Sequence, residues 1–274
     1  MTAIDTAPGT ASAGSTLTAM VSAIASGAIQ VVDLTNVLSS DFPVIVLPSE
    51  FGQCEPFRME TVSRYDGNGP AWYWNNISMN EHTGTHFDAP AHWVTGRDVV
   101  NGTVDAILPE DFIHPAVVVD IAEESAIDED FIVTRAFFEA WEARNGPIPP
   151  RHWVLLRSNW SKRVGTLSYL NLKDDGAHSP GPDADAMRFL VHERDCIGLG
   201  VETVGTDAGQ ASLFDEPLPA HSILHGNGRF GLQCLTNLDH LPVRGAVIVA
   251  SPLKIKGGSG SPLRVIALVP GTRG

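Results

Sequence analysis

Apolar residues recur along this chain in two rhythms. Strand-like runs fall at Gln30–Leu34, Glu60–Arg64, Ala71–Met79, Ala116–Ile121, Val154–Arg157, Ile197–Val201, Gly231–Leu235, Val243–Ala250 and Leu263–Val269. Ala71–Met79 alternates and is rich in aromatics, which places Trp72 and Trp74 on one face. Helical spacing governs Thr134–Arg144, where Phe137, Phe138 and Trp141 share a face and Gly146 follows the end. It also governs Pro182–Arg194, with Pro182 and Asp183 near the start. A short helix is expected over 15–27 and another around His221–His225, with a proline-bearing loop over Ser39–Pro48. Residues 1–14 read as a disordered tail. Strands and helices interleave without a strict βαβα order, and no internal repeat is present. The pattern predicts one mixed α/β domain over residues 15–274.

Composition narrows the function classes. A chain of 274 residues, 43% hydrophobic, is long enough for a sizeable core. Its formal net charge of −14 argues against a nucleic-acid or anionic-membrane partner, because both demand a basic face. Cys54, Cys196 and Cys234 are odd in number and widely spaced, without a C-x-x-C pair, so a disulfide framework is not expected and a cytoplasmic location is. The apolar stretch over 17–29 lacks a basic segment before it, since the first cationic side chain is Arg58. It is also too short to span a bilayer.

The candidate chemistry lies in His82-Thr83-Gly84-Thr85-His86-Phe87-Asp88-Ala89-Pro90-Ala91-His92-Trp93, which holds three of the ten histidines. A flat strand would spread four residues over about 13 Å, too far for ligands bonded at about 2 Å. A helix would turn Asp88 away from His82 and His86, and Gly84, two threonines and Pro90 disfavour it. An extended segment that curls at Gly84 lets His82, His86 and Asp88 converge on one cation. Ordinary core or surface histidines are the alternative. Three of them with a carboxylate around a glycine favour the metal. His92 is offset, and suits a proton shuttle better than a fourth ligand.

The same residues, H-T-G-T-H-F-D-A-P-A-H, resemble the H-x-G-T/A-H-x-D-x-P-x-H signature of the cyclase family of metal-dependent hydrolases. That family includes kynurenine formamidases and isatin hydrolases. Further matches run from Asp33-Leu34-Thr35 to Gly260-Ser261-Pro262-Leu263-Arg264, over most of the chain. The resemblance implies a swivelling β/β/α fold, a homodimer or homotetramer, and His92 as catalytic acid/base. It places Gly200–Asp207 on a family segment ending in Asp207, with Glu202 and Gly205 departing from the pattern. His221 and Gln233 fall where dinuclear members hold a second ion with a histidine and a glutamate. Gln233 brings an amide instead, a poorer partner for a divalent cation, so one ion per chain, Mn2+ or Zn2+, is expected. His221, Gln233 and Asp207 are then second-site positions or contacts for substrate or water.

Trp72, Trp74, Phe87 and Trp93 form a candidate wall for an aromatic substrate, with core packing as the alternative. Gly257-Gly258-Ser259-Gly260-Ser261 lacks the order of a phosphate-binding loop and reads as a mobile loop. His114, His152, His178, His192 and His240 stand alone and read as structural or surface residues. The expected activity is hydrolysis of an amide-like C–N bond, in an aryl formamide or a cyclic amide, by metal-activated water. Lactone hydrolysis or cyclisation at the same metal is the nearest alternative, and a metal-dependent binding protein without turnover a more distant one.

Overall fold

The computed structural model describes residues 13–271 except 48, 68 and 70; most of the expected tail over 1–14 lies outside them. Helix α1 (Ala13–Ala25) leads into strand β1 (Ile29–Asp33). A hairpin follows, β2 (Arg58–Ser63) and β3 (Trp74–Ser78), then the short strand β4 (His86–Asp88) and the long β5 (Ile113–Asp120). Helix α2 (Arg135–Asn145) and strand β6 (Trp153–Arg157) come next. Helix α3 (Ala184–Arg188), strand β7 (Gly198–Val201), helix α4 (Pro219–Gly226) and strand β8 (Phe230–Gln233) continue the chain. Strands β9 (Arg244–Val249), β10 (Gly260–Pro262) and β11 (Ile266–Pro270) close it.

Among the described residues the largest sheet has nine strands, ordered β1-β11-β9-β5-β6-β7-β8-β4-β10. Strands β5 to β8 run parallel and the remaining pairings are antiparallel. The parallel strands are buried on both faces, which explains why their sequences are continuously apolar rather than alternating. Alternation persists in which core they feed. Ala116, Val118, Trp153 and Leu155 face one cluster with Phe87, Phe230 and Leu232. Val117, Val119, Val154 and Leu156 face the other, beneath Phe138, Trp141, Met187 and Leu190. This is a mixed α/β architecture of the expected kind.

Helix α2 starts where its sequence says it should. Thr134 accepts a hydrogen bond from the Phe137 backbone at 3.3 Å, Phe138 and Trp141 are buried, and Gly146 takes φ 82° past the end. The helix expected over Pro182–Arg194 is shorter and divided. Pro182 belongs to a two-residue strand pairing with Val133, and Asp183 caps α3 from the Ala186 N–H at 2.8 Å. The chain then widens into a π turn over Phe189–Glu193, which buries Phe189, Leu190 and Val191 in succession. The strand expected over Leu263–Val269 forms as β11, starting at Ile266, and a separate short strand, β10, precedes it and pairs with β4. The β2/β3 hairpin projects its aromatics outward: Trp72 and Trp74 are 55% and 57% exposed and pack edge to face at 6.5 Å.

Candidate metal centre

Strand β4 sits between β8 and β10, with Asp88 opposite both Gly231 and Gly260. Its alternation sends His86 and Asp88 to one face and Phe87 to the other. Phe87 is therefore fully buried against Phe112, Trp153 and Phe230 and belongs to the core, not to a substrate wall. The curl before β4 is real. Gly84 has φ 69°, a conformation that a side chain would strain, and a Cβ there would meet Leu38 at 2.9 Å. Flanking threonines fix the loop, Thr83 by donating to the Glu55 carbonyl at 3.1 Å and Thr85 to the Cys234 carbonyl at 2.6 Å.

The curl brings His82 Nδ1 to 2.8 Å from Asp88 Oδ1 and His86 Nε2 to 3.3 Å from the same oxygen. His86 donates from Nδ1 to the Gly84 carbonyl at 2.8 Å, which leaves Nε2 as its available nitrogen. Asp88 Oδ2 accepts from the Gln233 amide. Gly231 makes room for that carboxylate, since a Cβ there would lie 2.8 Å from Oδ2. The turn Pro90–His92 folds His92 back, so that its ring stacks on His82 with centroids 3.8 Å apart.

Helix α4 supplies the opposite wall. Leu218 enters it at φ 53° and Pro219 is its first residue. Asp207, not a local side chain, caps the helix: it accepts from the Ala220 N–H at 2.6 Å and the His221 N–H at 3.1 Å. The same carboxylate accepts from His221 Nδ1 at 2.5 Å, so Asp207 orients His221 toward the cluster. One helical turn on, His225 is fully buried, donates Nδ1–H to the Arg229 carbonyl at 3.1 Å, and keeps Nε2 buried without a partner. His225 escaped the sequence reading. Its spacing of four from His221, one face of a short helix, was the available signal. Trp93 joins this wall, its ring 5.1 Å from that of His221. Trp72 and Trp74 lie on the exposed hairpin and make no ring contact with the histidines among the described residues.

Burial sets two of the protonation states, and neighbouring charges and hydrogen bonds set three. It pushes His92 down to about 3 and His225 down to about 4, so both rings are neutral with a lone pair available. For His86 burial acts downward, but the charge and hydrogen bond of Asp88 overcome it and raise the ring to about 10. His221 is raised too, because Asp207 outweighs the burial that would lower it. Asp88 is held well below the ordinary carboxylate range: burial opposes this, and the His86 charge and the His82 hydrogen bond prevail.

The donor set fits a divalent cation. Ligand atoms of His82, Asp88 and His92 lie within 4.8 Å of one another, as do those of Asp88, His221 and His225. Asp88 is common to both groups, and the unpartnered His225 Nε2 is the kind of atom a cation satisfies. A third group, Glu129, Asp130 and His178, is already neutralised, with Lys173 on Glu129 and the His178 ring held between Asp130 at 2.6 Å and Asp175 at 3.0 Å. Glu202 is likewise structural: it accepts from the Ser158 N–H at 2.7 Å and the Ser161 hydroxyl at 2.6 Å.

Comparison with known proteins shows the family. Residues 32–208 match the sequence model of the Cyclase family, described as "Putative cyclase". The chain is 44% identical over 261 residues to the isatin hydrolase of Roseibium aggregatum, covering 94% of this chain and 99% of that one. It is 30% identical over 196 residues to the kynurenine formamidase of Salinibacter ruber, covering 70% of this chain and 77% of the relative. The solved structure of isatin hydrolase A from Labrenzia aggregata bound to benzyl benzoate superposes with a TM-score of 0.91 at 58% identity, covering 93% and 99% of the two chains.

Proposed function

The chain belongs to the cyclase family and is a metal-dependent hydrolase of a non-peptide C–N bond, and on that premise we propose that it opens the ring amide of a small aromatic lactam of the isatin type. The observation that carries the reading is the convergence of His82, His86 and His92 on the single buried carboxylate of Asp88. His82, His86 and Asp88 would hold one Mn2+ or Zn2+ ion. Such an ion supplies Lewis acidity, polarising the scissile carbonyl and acidifying water.

The chain's own residues do the rest. His92, neutral and stacked on His82, takes the proton of the attacking water and returns it to the leaving nitrogen. The new C–O bond forms as the C–N bond breaks, and the nitrogen departs as an amine. The low basicity of the buried His92 ring is offset in part by Asp88, whose charge favours the protonated ring. Trp93 and His221 line the substrate side, and Asp207 keeps His221 in place. A panel of cyclic amides, aryl formamides, lactones and esters, assayed with each metal, tests this. Turnover is expected on the cyclic amides first. Turnover of lactones alone would transfer the site to the alternative chemistry, and inactivity of the metal-loaded protein on the whole panel would leave only a binding role.

Gln233 supports a mononuclear site. A carboxylate bridging two cations offers an oxygen to each, and here the Gln233 amide takes Oδ2. A neutral amide also brings no charge to offset a second ion. Elemental analysis is expected to find about one ion per chain, rising toward two in Gln233→Glu. Two tightly held ions in the parent protein would defeat the argument. Light scattering on the same sample is expected to show a dimer or larger of the 29.3 kDa chain, since the exposed Trp72, Trp74, Met59 and Ile77 leave both faces of one hairpin apolar.

A further inference from the structure

The run Gly257–Ser261, which reads as a mobile loop, is a fixed cradle behind His82. Its backbone is tied on both sides: Ala89 N–H donates to the Ser259 carbonyl at 2.9 Å and Val104 N–H to the Gly258 carbonyl at 3.0 Å. Two of its glycines are required by space. A Cβ on Gly258 would lie 2.9 Å from Glu81 Oε1, and one on Gly260 would lie 2.5 Å from His82 Cε1.

Between those glycines Ser259 meets both Glu81 and His82. Its hydroxyl donates to Glu81 Oε2 at 2.7 Å, and its N–H donates to the same oxygen at 3.1 Å. His82 Nε2 lies 3.0 Å from the Ser259 hydroxyl oxygen. A carboxylate only accepts, and a hydroxyl has one proton to give. With that proton committed to Glu81, the serine oxygen must accept from His82, so Nε2 carries the hydrogen. In a neutral ring the lone pair is then on Nδ1, the nitrogen 2.8 Å from Asp88 Oδ1. Two electron-rich atoms that close call for a cation near both, or for a second ring proton.

We propose that Glu81 and Ser259 are a positioning pair that locks His82 in the tautomer presenting Nδ1 to the metal. The inference rests on the reading of His82 as a ligand. Partners behind a ligating histidine fix its ring and raise its donor strength, and losing one typically costs about 10–100-fold in metal affinity. Neither residue touches the metal-facing nitrogen, so each acts only through His82.

Zinc affinity, read by competition with a chromophoric chelator, is expected to fall about 10–100-fold in both Ser259→Ala and Glu81→Gln. Thermal unfolding of the metal-free proteins is expected to match the parent. Long-range 1H–15N spectra of the histidine rings should show the Nε2–H form of His82 in the parent and a tautomer mixture in Ser259→Ala. Unchanged affinity with an unchanged tautomer would overturn the pairing. So would an affinity loss that merely tracks a loss of metal-free stability, which would make the contacts structural. His82→Ala separates the two layers of argument. If it binds zinc as tightly as the parent, the ligand reading itself fails. If it loses zinc while the other two variants keep it, only the positioning pair fails.

Discussion

Asp88→Asn is expected to give a folded protein that retains no metal through dialysis and shows no turnover above background. The carboxylate is fully buried and faces two imidazole nitrogens at 2.8 and 3.3 Å, with His92, His221 and His225 also in the ligand-distance groups it shares. It is the one anion in that set, so its charge is what balances a divalent ion. Asparagine keeps the shape, removes the charge and turns one of the two acceptor oxygens into a donor. Loss of a direct ligand should exceed the roughly 10–100-fold penalty of losing a supporting group. Elemental analysis and initial rates on the same preparation check both halves. A full complement of metal in the variant would remove Asp88 from the ligand set.

His92→Ala separates proton transfer from metal binding. The ring stacks on His82 at 3.8 Å and comes within 5.5 Å of the His221 ring; its ligand atom lies within 4.8 Å of those of His82 and Asp88, but the proposed assignment gives it the proton and not the ion. Metal content near that of the parent is therefore expected, with turnover lower by about 10²–10⁴-fold, the range for general acid–base catalysis. The loss should appear in kcat more than in KM, because His92 acts on the proton in flight rather than on the bound substrate. Metal lost together with rate would make His92 a ligand instead.

Much of this centre was legible in the sequence because its information is local. His82, His86 and Asp88 lie within seven positions, and the glycine that bends them together stands among them at φ 69°. Parity within β4 was legible too, and it sends Phe87 away from the site, so its grouping with Trp93 followed aromatic type rather than geometry. His225 had one local signal, its spacing of four from His221, but nothing in the sequence tied that helix to Asp88, which only the fold brings near. Glu81 and Ser259 were hidden by distance, since their hydrogen bond joins residues 178 apart in the chain. Local periodicity carries no information about such pairings. The π turn after α3 was equally illegible: its three successive buried residues suit a continuous helix on paper, and packing decides otherwise.

The placement of β4 between β8 and β10 has a consequence for the order in which the protein becomes itself. The strand that bears His86 and Asp88 is synthesised in the first third of the chain. Both of its hydrogen-bonded neighbours emerge from the last third. A nascent chain therefore displays its ligand motif long before the sheet that holds it can exist. Contacts of such sequence separation are slow to form, because chain closure must precede any gain from them. The proposed ligands are near neighbours in the chain, but the strands that fix their strand in place are not, so the ion alone cannot complete the site. The geometry around Asp88 is complete only once the final strands of the chain have arrived.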